Sequence, residues 1–210
     1  MKKVKVCGMR DRQNIIEILA AGPDFMGFIF YQHSMRYVGN ELDNNILQTF
    51  PPAVRKVGVF VNEKSGNILE ICRSLELDLV QLHGDESPEY CKGLHSFGIK
   101  IIKAFGIMPG FDFKTLDGYR QWCHYFLFDT RTIHYGGSSE KFNWELIEAY
   151  NGEIPFFLSG GIGPDDLQAI RSISNQAFYA IDINSRFETA PGIKDALKVN
   201  RFIKEIKQFK

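Results

Sequence analysis

Short apolar runs rich in Val, Ile and Phe alternate along this chain with longer stretches in which apolar residues recur at helical spacing. The runs predict strands at 3–7, 25–30, 56–61, 79–82, 100–104, 126–129, 156–159 and 177–181. Helical spacing predicts helices at 12–21, 64–74, 144–149 and 165–172, with a last amphipathic stretch over 192–209. Strands that are nearly all apolar and separated by helical crossovers belong to parallel sheets covered on both faces. Eight such strands in 210 residues predict an α/β fold, a (β/α)8 TIM barrel with a closed parallel sheet.

An open doubly wound sheet is the alternative, and it concentrates its chemistry at one switch point. Here the polar residues are dispersed: Cys7-Gly8, Arg36, Asn62, His83-Gly84-Asp85, Asp129, Gly160-Gly161 and Asp182-Ile183-Asn184-Ser185 each follow a different predicted strand. A closed barrel gathers all of them on one rim. With no Pro/Ser-rich linker, charge block or strong repeat, residues 1–210 read as a single domain.

Composition narrows the partners. The 25 Lys+Arg balance 25 Asp+Glu, a formal charge of +0, so there is no basic stripe for a nucleic-acid backbone and any bound anion must be small. The longest apolar stretch, 25–31, falls well short of the ~20 residues that cross a bilayer. No apolar signal region follows Met1-Lys2-Lys3, so no membrane partner and a cytoplasmic location are expected. The four cysteines form no C-x-x-C pair and read as reduced thiols. None of the five histidines stands at ligand spacing from another His or a carboxylate, so no metal is expected. Apolar helix faces leave monomer and homodimer equally open.

Several positions carry candidate chemistry. Gly160-Gly161 ends a strand where backbone N–H groups can approach an anion with no Cβ in the way, although two glycines also make a plain βα turn. Asn184-Ser185 after the eighth strand can open a short helix facing the same anion, and barrels often bind phosphate with these two loops. Cys7 ends the first strand, and alternation puts it on the inward face with Lys5. Closure of a barrel brings Asp182 beside it; Lys5 favours a thiolate and Asp182 opposes one. The plainer reading is a packed cysteine.

Asp129, delivered to the rim by an apolar strand, suits a general acid, or else an N-cap or a partner of Arg131. The polar, glycine-rich stretch 132–141 beside it reads as a mobile lid. Arg36, among aromatic residues, can clamp a carboxylate in bidentate fashion or stand solvated. His83 can line the pocket or be structural, and Asp85 or Ser87-Pro88 can cap the next helix.

In order along the chain, Lys5-Val6-Cys7-Gly8, Ser34-Met35-Arg36-Tyr37-Val38, Gln81-Leu82-His83-Gly84-Asp85, Phe128-Asp129 before a glycine-rich loop, Leu158-Ser159-Gly160-Gly161-Ile162 and Asp182-Ile183-Asn184-Ser185 resemble the phosphoribosylanthranilate isomerase family. The resemblance spans nearly the whole chain. It implies a barrel of tryptophan biosynthesis that carries out a cofactor-free Amadori rearrangement, with Cys7 as general base and Asp129 as general acid. It further implies that Arg36 holds the anthranilate carboxylate, that His83 and Asp182 contact substrate, and that Gly160, Gly161, Asn184 and Ser185 hold phosphate. The chain departs from the family pattern at Met35, where Pro is frequent, and at Ser139, where the lid commonly has Gly. Rival barrels, an indoleglycerol-phosphate synthase or a ribulose-phosphate epimerase, call for a lysine acid or a His/Asp metal set. A non-catalytic phosphate- or flavin-binding barrel would use Cys7 and Asp129 only for packing and capping.

Overall fold

The computed structural model describes residues 1–39, 42, 44–130 and 141–208. Eight parallel strands, β1 Lys3–Val6, β2 Phe25–Ile29, β3 Arg55–Phe60, β4 Leu79–Leu82, β5 Ile101–Ile107, β6 Tyr125–Thr130, β7 Phe156–Leu158 and β8 Phe178–Ile183, close in sequence order into a barrel. The closing seam pairs β1 with β8, setting Lys5 opposite Asp182 and Val6 opposite Ile183. Outside it lie helices α1 Arg12–Ala20, α2 Asn44–Gln48, α3 Ser65–Leu75, α4 Pro88–Ser96, α5 Leu167–Ser172 and α6 Ala196–Lys207.

Alternation along each strand sorts side chains into two cores. Val4, Val6, Phe28, Phe126, Phe128, Ile181 and Ile183 pack outward under the helices, whereas Phe25, Val57, Leu79, Ile102, Leu127, Phe157 and Ala180 fill the lower barrel. The next inward positions toward the C-terminal rim are polar: Lys5, Gln81 and Asp182, all buried. Helix starts follow local chemistry. Asp11, Ser87 and Asp195 accept hydrogen bonds from the first-turn amides of α1, α4 and α6, and Pro88 opens α4.

Four expectations need correction. Strand eight extends through Ile183, so Asp182 lies within it rather than beyond it. Residues Trp144–Ala149 form a 3-10 rather than an α-helix, capped by Asn143. The stretch read as a helix from 192 begins as a hairpin, β9 Glu188–Ala190 with β10 Ile193–Lys194, because Pro191 and Gly192 (φ 84°) favour a turn; α6 starts only at Ala196. The helix read at 165–172 opens as a 3-10 turn, Pro164–Asp166, and α5 starts only at Leu167; Ser87, one of the expected caps, does cap α4. The short α2 and the 3-10 helix Phe113–Tyr119 carry too few apolar repeats to register as periodicity. Among the described residues no helix is long and apolar enough to cross a membrane.

Candidate active site

Cys7 stands just past β1, where its N–H donates to Ile183 O at 2.9 Å across the seam. Two residues back, the Lys5 ammonium meets Asp182 Oδ2 at 2.9 Å with no solvent access to Lys5. Burial alone would discharge Lys5, but Asp182 and Cys7 outweigh it and hold the ammonium above its ordinary range. Burial pushes the Cys7 thiol up, against the pull of Lys5 and Lys194; Asp182 adds to the push. On the neighbouring strand Gly27 leaves the space that the thiol occupies: a Cβ there would lie 2.7 Å from Cys7 Sγ. The other Asp182 oxygen, Oδ1, is buried with no hydrogen-bond partner among the described residues.

The carboxyl group comes from β6, three strands from β1 through β8 and β7. Asp129 is inward on β6, in step with Leu127 in the inner core. Its Oδ1 accepts from the Thr130 amide at 2.7 Å, and its Oδ2 lies 3.3 Å from His83 Nε2. The His83 Nδ1 is in turn 2.8 Å from Gln81 Nε2, two residues back on the same inward row of β4. The loop carrying His83 is braced from beneath. Buried Glu86 accepts from the Asn62 and Gly84 amides and pairs with Lys103 at 3.2 Å. Gly160 (φ 90°) packs against this group, since a Cβ there would sit 3.0 Å from Asp129 Oδ1 and closer still to Thr130.

Arg36 is neither solvated nor idle. It is 7% exposed, and its Nε and Nη2 form a two-pronged pair with Glu188 at 2.7 to 3.1 Å. Gly8, in a left-handed turn (φ 76°), lets this arginine and Asn184 approach Cys7: a Cβ on Gly8 would meet Arg36 Cδ and Asn184 Oδ1, each at 2.8 Å. Ser185 begins a short 3-10 turn to Phe187. The double-glycine loop reaches the same turn, because a Cβ on Gly163 would lie 3.1 Å from Arg186 Nε.

The structure thus gathers all of the expected positions at the C-terminal end of the barrel. Cys7, Arg36 and Asn184 form one group around Gly8; Asp129, His83 and Gly160 form another. Asp182 links them, as Lys5, Asp129 and His83 all act electrostatically on its carboxylate. The expected lid falls almost wholly within 131–140, outside the described residues, as does Arg131. Lys141, directly after it, pairs with Asp166 at 2.6 Å. Sequence reasoning missed Gln81, Glu188 and Lys194. A glutamine inside the apolar run of β4 was a legible signal; Lys194 was hidden by reading 192–209 as one helical stretch, and Glu188 fell in a segment given no element. Among the described residues no three His, Cys, Asp or Glu side chains group as a metal site.

A closed parallel barrel whose β1 and β6 carry a thiol and a carboxyl group to one rim is a (β/α)8 enzyme fitted for acid–base chemistry on a small substrate. Residues 4–205 match the family model of N-(5'-phosphoribosyl)anthranilate isomerase. The chain belongs to that family. It is 44% identical over 205 residues to the N-(5'-phosphoribosyl)anthranilate isomerase of Phocaeicola vulgatus, covering 98% of each chain. Among solved structures it resembles phosphoribosyl anthranilate isomerase in complex with reduced 1-(o-carboxyphenylamino)-1-deoxyribulose 5-phosphate (TM-score 0.82, 33% identity, 99% of each chain). It also resembles monomers of the dimeric isomerase from Thermotoga maritima (TM-score 0.84, 32% identity, 99% of this chain and 100% of that one).

Proposed function

We propose that this protein converts N-(5-phosphoribosyl)anthranilate to 1-(2-carboxyphenylamino)-1-deoxyribulose 5-phosphate, with Cys7 as general base and Asp129 as general acid. Asp129 gives its proton to the furanose ring oxygen and the ring opens to a Schiff base. Cys7 then removes the C2′ proton, and the resulting enolamine tautomerises to the ketone. An acid and a base that begin in opposite protonation states must approach the sugar from different sides. The observation that carries this reading is the link through Asp182, paired with Lys5 beside Cys7 on one side and within electrostatic reach of Asp129 on the other.

The remaining side chains bind. Arg36 holds the anthranilate carboxylate, and the amides around Gly160-Gly161 and Asn184-Ser185 hold the phosphate, fixing the substrate at both ends. The unpaired, buried Asp182 Oδ1 suits a substrate hydroxyl donor, and His83 supports Asp129 while lining the pocket. In this reading residues 1–210 work as one cytoplasmic catalytic domain, monomeric or homodimeric, whose partner is the phosphosugar and neither nucleic acid nor membrane.

Burial holds the Cys7 thiol up while Lys5 and Lys194 pull it down, so the thiolate that a base requires depends on those two ammonium groups. Purified protein should turn over the phosphoribosyl anthranilate, and Cys7→Ser and Asp129→Asn should each lower kcat by about 10²-fold or more. Undiminished turnover in both variants refutes the assignment.

A further inference from the structure

The hairpin after β8 holds a buried ion cluster whose carboxylate, Glu188, has no part in the proposed acid–base chemistry. Arg36 is gripped by Glu188, and Lys194 Nζ joins Glu188 Oε1 at 2.6 Å to Asn184 Oδ1 at 2.8 Å. The Glu188 carboxylate also accepts from the Gly192 amide at 3.0 Å. Lys194 is itself pinned: the buried side chain of Asn14 on α1 accepts from its N–H at 2.7 Å and donates to its carbonyl at 2.8 Å. The three charged side chains, two cations and one carboxylate, have side-chain exposures of 9%, 6% and 0%. Surplus positive charge at such depth is stabilised by an anion.

We infer that Glu188 and Lys194 are positioning residues that register Arg36 against Asn184, so that one rigid brace sets the spacing between the carboxylate end and the phosphate end of the substrate. The inference rests on the proposed roles of Arg36 and Asn184. Glu188 takes the Nε/Nη2 edge of the guanidinium and so fixes its plane, leaving the arginine side chain no freedom to follow a misplaced carboxylate. Lys194 transmits the same constraint to Asn184. Glu188 acts on binding geometry alone, so its loss falls on KM; Lys194 also faces the Cys7 thiol, so its loss reaches kcat as well.

The test is steady-state kinetics on the full-length chain with Glu188→Gln, Lys194→Met and Arg36→Met, each checked for folding by circular dichroism. Glu188→Gln should raise KM about tenfold with kcat within about threefold of the parent; Lys194→Met should raise KM about tenfold and also lower kcat, because Lys194 pulls the Cys7 thiol down; and Arg36→Met should raise KM at least as much as Glu188→Gln. Folded variants at 188 and 194 whose KM stays within about twofold of the parent, while Arg36→Met raises it, overturn this inference alone. An unchanged KM in Arg36→Met overturns the clamp beneath it. Should Lys194→Met fail to fold, the nearly isosteric Glu188→Gln decides.

Discussion

Lys3 and Lys5 sit two residues apart on the same face of β1, and each pairs with an aspartate, yet they do different things. Lys3 meets Asp24 at 2.8 Å with 45% of its side chain exposed; Lys5 meets Asp182 at 2.9 Å with none exposed. Distance does not separate the two pairs; water does. The exposed pair is screened and contributes at most about 1 kcal/mol. The buried pair has lost the hydration of both ions, and apolar side chains of similar volume often serve stability as well or better. The same contrast runs across the barrel. At the N-terminal end Arg55 and Asp78 pair in the open, whereas at the other end Arg36 and Lys194 with Glu188, and Lys103 with Glu86, are sealed from solvent. Costly charge is concentrated where substrate is to be held.

That contrast is open to direct attack. Lys5→Met strands a buried carboxylate and should cost about 3–5 kcal/mol in denaturant unfolding. A loss under 1 kcal/mol would mean that Asp182 is far better solvated than its burial implies. Gly27→Ala puts a methyl group 2.7 Å from Cys7 Sγ and should lower kcat/KM about tenfold by shifting the thiol, whereas Gly93→Ala on α4, where a Cβ meets nothing within 4 Å, should leave activity intact.

Acid unfolding separates the ends by charge state. Burial alone would raise the Glu188 carboxyl, but Arg36 and Lys194 outweigh it and hold it below its ordinary value. A carboxyl whose folded value is depressed gives stability that is present above its unfolded pKa of about 4.3 and is lost as pH falls through the folded value. Melting temperature should therefore fall less steeply below about pH 4 in Glu188→Gln than in the parent, and equal slopes would deny the group its role. Lys3→Met should be the mildest change, within about 1 kcal/mol in unfolding and about twofold in kcat/KM.

Most strand positions were legible as short apolar runs bounded by turn residues, the pattern of a covered parallel sheet, although β1, with Lys3 and Lys5 inward, is apolar on one face only. Cys7 was legible from alternation with Lys5, Asp129 from closing an apolar strand, and His83 and Asp182 from the strands they were read to follow, although Asp182 lies within β8. The partner of Arg36 was not legible. Glu188 lies 152 residues further on, in a hairpin of three- and two-residue strands too short to show a period, and only the closed barrel brings it back. Lys194 was missed for a related reason: inside the amphipathic stretch read over 192–209 a lysine reads as a solvated first-turn residue, and nothing local reveals that Asn14 clasps its backbone.

The seam between β1 and β8 also sets a clock on biosynthesis. Lys5 and Asp182 are separated by 177 positions, so a ribosome must release nearly the whole polypeptide before the lysine finds its counter-ion. Until then a half-made chain carries an ammonium and a thiol on its first strand with no wall to face, and the emerging fragments can shape helices and partial sheet but no chemistry. Activity in such a molecule arrives last and all at once, with the stitching of its two ends.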